Sequence, residues 1–202
     1  TELIQGGSEE RRRFMDLIIS QQDKNYLHAL IQYNKALLQR NTLLKEQSHD
    51  TSLFDVLEMQ LTMYGEQIFL KRKQLIEKLV PLFNQFHQQI CHSAESVDLT
   101  YISQLAETSL EEKLRKNRER DVLIGYTTAG IHKDELEMLL DGSLIRRVGS
   151  QGQQKTYLIA LKLAQYSLLA QQGASTPLLL LDDIFDKLDA ERVAQIIHLV
   201  GE

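Results

Sequence analysis

Between about residues 23 and 47, Leu27, Leu30, Leu37 and Leu44 recur with Asn34 and Asn41 set among them, in steps of three and four. That is the seam of an amphipathic helix, and asparagines within such a seam fix register rather than do chemistry. After a polar break at 48–52, a second pattern runs through Leu57, Leu61, Tyr64, Ile68, Leu75, Leu79, Leu82, Phe86 and Ile90. Two long helices joined by a short polar loop return antiparallel, because each alone leaves an apolar stripe in water. At ~1.5 Å per residue, some 25 and 36 residues predict rods of roughly 37 and 54 Å, an arm projecting from a compact body. Pro81 removes a helical hydrogen bond inside the second rod and predicts a kink, and residues 93–96 end it.

From Val97 the pattern changes. Residues 97–101 alternate like a strand, about 103–120 read as a highly charged helix, and 122–126 read as a strand again. Apolar runs at 135–140 and 144–148 flank Asp141-Gly142-Ser143, a strong hairpin signal. Residues 151–172 carry Tyr157, Leu158, Leu161, Ala164, Leu168 and Leu169, a broad apolar helix face, with Gly173 as a stop. Pro177 then starts a four-leucine strand, Leu178 to Leu181. With no polar face it is expected to be buried on both sides of a mostly parallel sheet. A last helix covers 190–200. The fold class is therefore α/β, a mostly parallel sheet plus an antiparallel, coiled-coil-like helical arm.

Composition narrows the setting. Of 202 residues, 43% are hydrophobic and 25% charged, enough for one sizeable domain or two small ones. The single cysteine, Cys91, rules out an internal disulfide framework and predicts a reducing, cytoplasmic setting. No run of about 18 apolar residues is present to span a membrane, and the opening at Thr1 suggests an excised fragment. A net charge of −5 argues against an all-round basic coat, while local patches remain at 11–13 and 71–73.

Two segments carry candidate chemistry. Ser150, Gln151, Gly152 and Gln153 open the long helix pattern, and a polar, glycine-containing turn before a helix offers backbone N–H groups to an anion. Ser150 is also expected to cap that helix by accepting from the N–H of Gln153. Asp182 and Asp183 follow the leucine strand at the end where open α/β sheets place their ligands. There Asp182 is suited to hold Mg²⁺ through water, and Asp183 to accept a proton from an attacking water. The alternative for such a pair is a helix cap or turn. A second acidic turn, Asp186 and Asp189, comes next. Missing is a phosphate loop of the form G-x-x-x-x-G-K-[ST]: GYTTAG at 125–130 has the glycines but is followed by Ile131 and His132.

GSQGQQKT at 149–156, LLLLDDI at 178–184 and DKLDA at 186–190 closely resemble the signature, Walker B and D-loop segments of the RecF family, bacterial DNA repair ATPases related to ABC and SMC-type ATPases. GGSEERRRFMD at 6–16, Gln39-Arg40-Asn41 and GIHKDE at 130–135 resemble further RecF elements. In the last, Ile131, Lys133 and Glu135 replace the usual proline, arginine and aspartate. The resemblance implies a partial ABC-type P-loop ATPase head, a C-terminal fragment without the Walker A region. Residues 1–22 would connect from the other half of the head, 23–96 would form the arm, and 97–202 the C-terminal part of the head.

The family's mechanism implies the cofactors ATP and Mg²⁺, with ATP sandwiched between two subunits. Ser150 and the N–H groups of Gly152 and Gln153 would then meet a γ-phosphate held by the partner, and Asp189 would sit across the dimer interface. ATP would close a homodimer on double-stranded or gapped DNA, with RecO and RecR as partners in loading RecA. The intact protein is expected to be a weak DNA-stimulated ATPase and this chain alone inactive. Arg11, Arg12 and Arg13 either pair with acids or touch DNA, and His132, a lone histidine beside a hairpin, is expected to be structural. An SMC-like tether is disfavoured by the short arm. A transporter ATPase is disfavoured by Asp rather than Glu at 183.

Overall fold

The computed structural model describes residues 2–48, 50–91, 95–172, 177–180 and 188–201. In chain order these form α1 (Glu2–Gln5), α2 (Ser8–Ser20), α3 (Lys24–Lys45), α4 (Thr51–Cys91), β1 (Val97–Ile102), α5 (Leu110–Ile124), β2 (Glu135–Leu140), β3 (Ser143–Leu144), α6 (Ile145–Val148), α7 (Gln151–Gln172) and α8 (Ala190–Gly201). Single 3-10 turns lie at Gln104–Ala106 and Ile131–Lys133. The chain is mostly helical. It divides into two compact units, one of residues 11–74 and 101–135, the other of 1–10, 75–100 and 136–202.

In the first unit, α3 and the early turns of α4 run antiparallel: Arg40 reaches Glu58, the Tyr33 ring lies beside Gly65, and Asp23 pairs with Lys71. The expected helix hairpin is there, with a shifted seam. Tyr26, Ala29, Tyr33, Ala36, Arg40 and Leu44 are buried, while Leu27 is 42% exposed. Asn34 is exposed, and Asn41 caps a distant loop by accepting from Thr127 N–H at 2.8 Å and Thr127 Oγ1 at 2.7 Å. Aromatic rings and an ion-paired arginine bury more surface than the leucines one position away, so the helix turns that face inward. In α4, Leu57, Leu61 and Ile68 are buried as expected, and its helical run is unbroken through Pro81.

Residues 122–126 do not form a strand. Ser109 caps α5 by accepting from the Glu112 N–H, and α5 continues to Ile124, where Gly125 at φ 77° takes the left-handed position and donates its N–H to Asp121 at 2.8 Å. Valine and isoleucine there read as β by propensity, and a cap at each end overrides them. The rest of the glycine-spaced loop is used internally: Thr128 N–H donates to Asp121, and a Cβ on Gly130, at φ 133°, would lie 2.2 Å from the Tyr33 hydroxyl oxygen.

The second unit holds the late turns of α4, α7, α8 and most of a three-stranded sheet of order β1-β2-β3. β2 and β3 are antiparallel, Leu139 opposite Leu144 and Leu140 opposite Ser143, across a two-residue turn in which Asp141 and Gly142 both have positive φ. That is the geometry an Asp-Gly hairpin demands. β3 is shorter than the expected 144–148 strand, because Ile145–Val148 coil into α6. Phe83 stacks edge-on to Tyr157 at 4.6 Å, and the Tyr157 hydroxyl donates to the Asp98 carbonyl, joining α4, α7 and β1.

The expected mostly parallel sheet is absent from the described residues. Leu178 and Leu180 are 92% and 90% exposed, and residues 177–180 are not in a strand; Leu181 lies outside the described residues. A strand apolar on both faces takes its hydrogen bonds and its cover from neighbouring strands, and the described sheet places none of its three strands there.

Candidate nucleotide-contacting turn

The start of α7 is built from its own side chains. The Ser150 Oγ accepts from the Gln153 N–H at 3.3 Å while the Gln153 Oε1 accepts from the Ser150 N–H at 2.8 Å, a reciprocal capping box with glutamine in the acidic position. The cap expected of Ser150 is present. Gln154 folds back to donate to the Gly149 carbonyl at 2.8 Å and accepts from Gln5 of α1 at 2.9 Å. Gln153 donates in turn to Glu95 Oε1 at 2.9 Å. A side chain on Gly149 would press within 2.9 Å of the Ile145 carbonyl oxygen, so the bend between α6 and α7 suits glycine.

Three glutamine contacts therefore brace the turn from behind and leave its tip in solvent. Ser150 and Gln151 are exposed, Gly152 and Gln153 half-buried. First-turn N–H groups have no earlier turn to bond, and the 22-residue helix aims the positive end of its dipole at the same point. Exposed Arg146 and Arg147 stand just ahead of it. Such a tip suits a phosphate oxygen. The Gln153 N–H is already engaged by Ser150, which leaves the Ser150 hydroxyl and the Gln151 and Gly152 N–H groups as the natural donors.

Of the other expected site residues, Asp182, Asp183 and Asp186 lie outside the described residues. Asp189 is exposed and caps α8, accepting from the Arg192 N–H at 2.9 Å. Neither Glu95 nor the Arg146-Arg147 pair was singled out by sequence pattern. Glu95 lies 58 residues before Gln153 in a segment that reads as a helix terminator, and no local signal links the two.

The arginines of 11–13 divide. Arg11 is 4% exposed and clamps Glu135 with bonds of 2.7 and 2.9 Å, and Arg12 donates to the Asp134 carbonyl, while Arg13 is exposed. Arg72 bridges Asp16 and Asp134 at 2.9–3.0 Å. Arg40, fully buried, binds Glu58, Asp121 and Thr127. His132 sits between the Tyr33 hydroxyl at 2.9 Å and the Thr127 carbonyl at 3.1 Å, and burial drives its pKa down to about 4. These are structural bonds, as expected for His132.

No family model matches the chain. Whole-chain relatives do. The chain is 71% identical over 201 residues to the DNA replication and repair protein RecF of Parabacteroides distasonis, covering 100% of this chain and 55% of that protein. It is 57% identical to the RecF proteins of Porphyromonas gingivalis and Bacteroides fragilis, again over 55% of their length. A solved structure of the recombination mediator protein RecF with ATP in the RecFOR pathway superposes with a TM-score of 0.86 at 31% identity, over 99% of this chain and 56% of that one. The chain thus spans about half the length of the relatives it matches, and along all of its own length it belongs to the RecF family.

Proposed function

We propose that this chain supplies the signature side of an ATP-dependent DNA-binding protein of replication and repair, in which the α7 turn closes on a nucleotide held by a second subunit. The observation that carries the reading is the exposed, pre-braced N-terminus of α7 with Ser150 at its tip. Donors held in place before the phosphate arrives lose little entropy on binding and reward only a ligand that brings negative charge. Ser150 donates its hydroxyl proton to a γ-phosphate oxygen, and the Gln151 and Gly152 N–H groups complete the cradle. Asp189, exposed at the start of α8, faces across the same dimer contact. The similar solved structure of RecF with ATP supports the nucleotide.

Within the intact protein, Asp182 would hold Mg²⁺ through water and Asp183 would take the proton of the attacking water. The strand from Leu178 is completed by neighbours from the remainder of the family's length, covering the leucines now in solvent. The segments 1–22, 23–96 and 97–202 keep their proposed roles as connection, arm and head. DNA, RecO and RecR are the partners this family reading carries.

The test is Ser150→Arg in the full-length protein. Arginine brings bulk and a misplaced cation into the sandwich, so ATP-induced dimerisation measured by light scattering is expected to be lost while ATP binding persists. Dimerisation equal to wild type rejects the assignment of the turn.

A further inference from the structure

His87 and Cys91 lie four residues apart on α4, one helical turn, so their side chains stack on one face. His87 Nε2 and Cys91 Sγ are 3.5 Å apart. Glu95, just past the helix end, brings a carboxylate oxygen to the same point, and one donor atom from each of the three residues lies within 4.8 Å of the others. The imidazole is 2% exposed, and Cys91 and Glu95 are half-buried. The two carboxylate oxygens differ: Oε1 accepts from Gln153, whereas Oε2 is buried and has no hydrogen-bond partner among the described residues. A carboxylate oxygen withdrawn from water and left unsatisfied calls for a cation or donor to complete it.

We propose that His87, Cys91 and Glu95 form a binding site for a divalent cation of the zinc class. Imidazole, thiolate and carboxylate are the donors a borderline-soft ion accepts together, whereas Mg²⁺ and Ca²⁺ take oxygen ligands throughout. Bonds of about 2.0–2.3 Å in a tetrahedral site put ligand atoms roughly 3.5 Å apart. The histidine and cysteine atoms already have that separation, and the widest gap closes by about 1 Å. On binding, the thiol proton leaves to solvent and the sulfur–metal bond forms with no change of oxidation state. Three protein ligands leave a fourth position for water. Gln153, donating to Oε1 of the same carboxylate, orients that ligand as outer-shell partners do. The inference does not rest on the nucleotide reading, although Glu95 also holds Gln153 of that turn.

The experiment titrates full-length protein, freed of metal with a chelator, with Co²⁺ as a spectroscopic probe. A near-ultraviolet thiolate-to-cobalt charge-transfer band and visible bands of a four-coordinate ion are expected, displaced by Zn²⁺. Cys91→Ala is expected to lose the charge-transfer band, and Glu95→Gln to weaken Co²⁺ binding about tenfold or more. Absence of the band in unaltered protein overturns the proposal, a result that needs no variant to fold. A band undiminished in Cys91→Ala overturns it equally.

Discussion

His132 shows how burial turns a candidate base into a structural part with a pH signature. Both ring nitrogens are engaged, and its pKa lies at about 4 against an ordinary 6.5. Between those values the unfolded chain binds the proton and the folded one does not, so stability falls as pH drops through the window. From about pH 7 to about pH 5 the loss from this group should be about 1–2 kcal/mol. Burial also lowers His87, so the His132 share is read as the difference between wild type and His132→Gln in urea unfolding followed by tyrosine fluorescence. Equal pH slopes in the two proteins would refute it. The buried arginines belong to the same scale: with Arg40 fully enclosed by two carboxylates and a hydroxyl, its role is to satisfy those groups, and removing it would strand them.

At the scale of elements, caps decide where helices stop. Gly125 ends α5 in the left-handed region, and the nearest atom to a Cβ there is Lys45 Cγ at 3.9 Å, so a substitution meets backbone strain and little else. Gly125→Ala is expected to destabilise the unit of residues 11–74 and 101–135 by about 1–2 kcal/mol, and Gly125→Asn by less, since asparagine tolerates this conformation. Urea midpoints measure both; an alanine variant as stable as wild type would mean that the αL cap is dispensable. The same logic explains the α7 turn, where the Ser150 and Gln153 side chains close a capping box and leave the remaining first-turn donors outward.

At the scale of the whole molecule, four of the segments that carry the family resemblance lie within the described residues along their whole length, and they divide in two. Those at 6–16, 39–41 and 130–135 form buried ion pairs, with Arg11 on Glu135, Arg72 on Asp16 and Asp134, and Arg40 on Glu58 and Asp121. The one at 149–156 stays at the surface as a braced helix start. The chain carries no G-x-x-x-x-G-K-[ST], the loop whose lysine reaches the β- and γ-phosphates. The 202-residue chain by itself is therefore expected to show no Mg-ATP turnover above buffer in a phosphate-release assay; measurable turnover would place a complete hydrolytic site within it. No helix among the described residues is long and apolar enough to cross a membrane.

What the sequence by itself determined is local. Helix periods, the Asp141-Gly142 turn, the Ser150 cap and the motif spacing of the family all act over a few residues, where side-chain pattern and backbone conformation speak directly. Tertiary structure decided which stripe of α3 is buried, that residues 122–124 end a helix, and that Arg11 and Arg12 are spent on Glu135 and the Asp134 backbone. It also decided that Glu95 meets both Gln153 and the His87–Cys91 pair. Those outcomes join residues as far as 124 positions apart, and the partner of a buried charge is whichever opposite group packing brings within reach. The leucines at 178 and 180 show the converse: their pattern asks for a sheet interior, and only neighbouring strands can provide one.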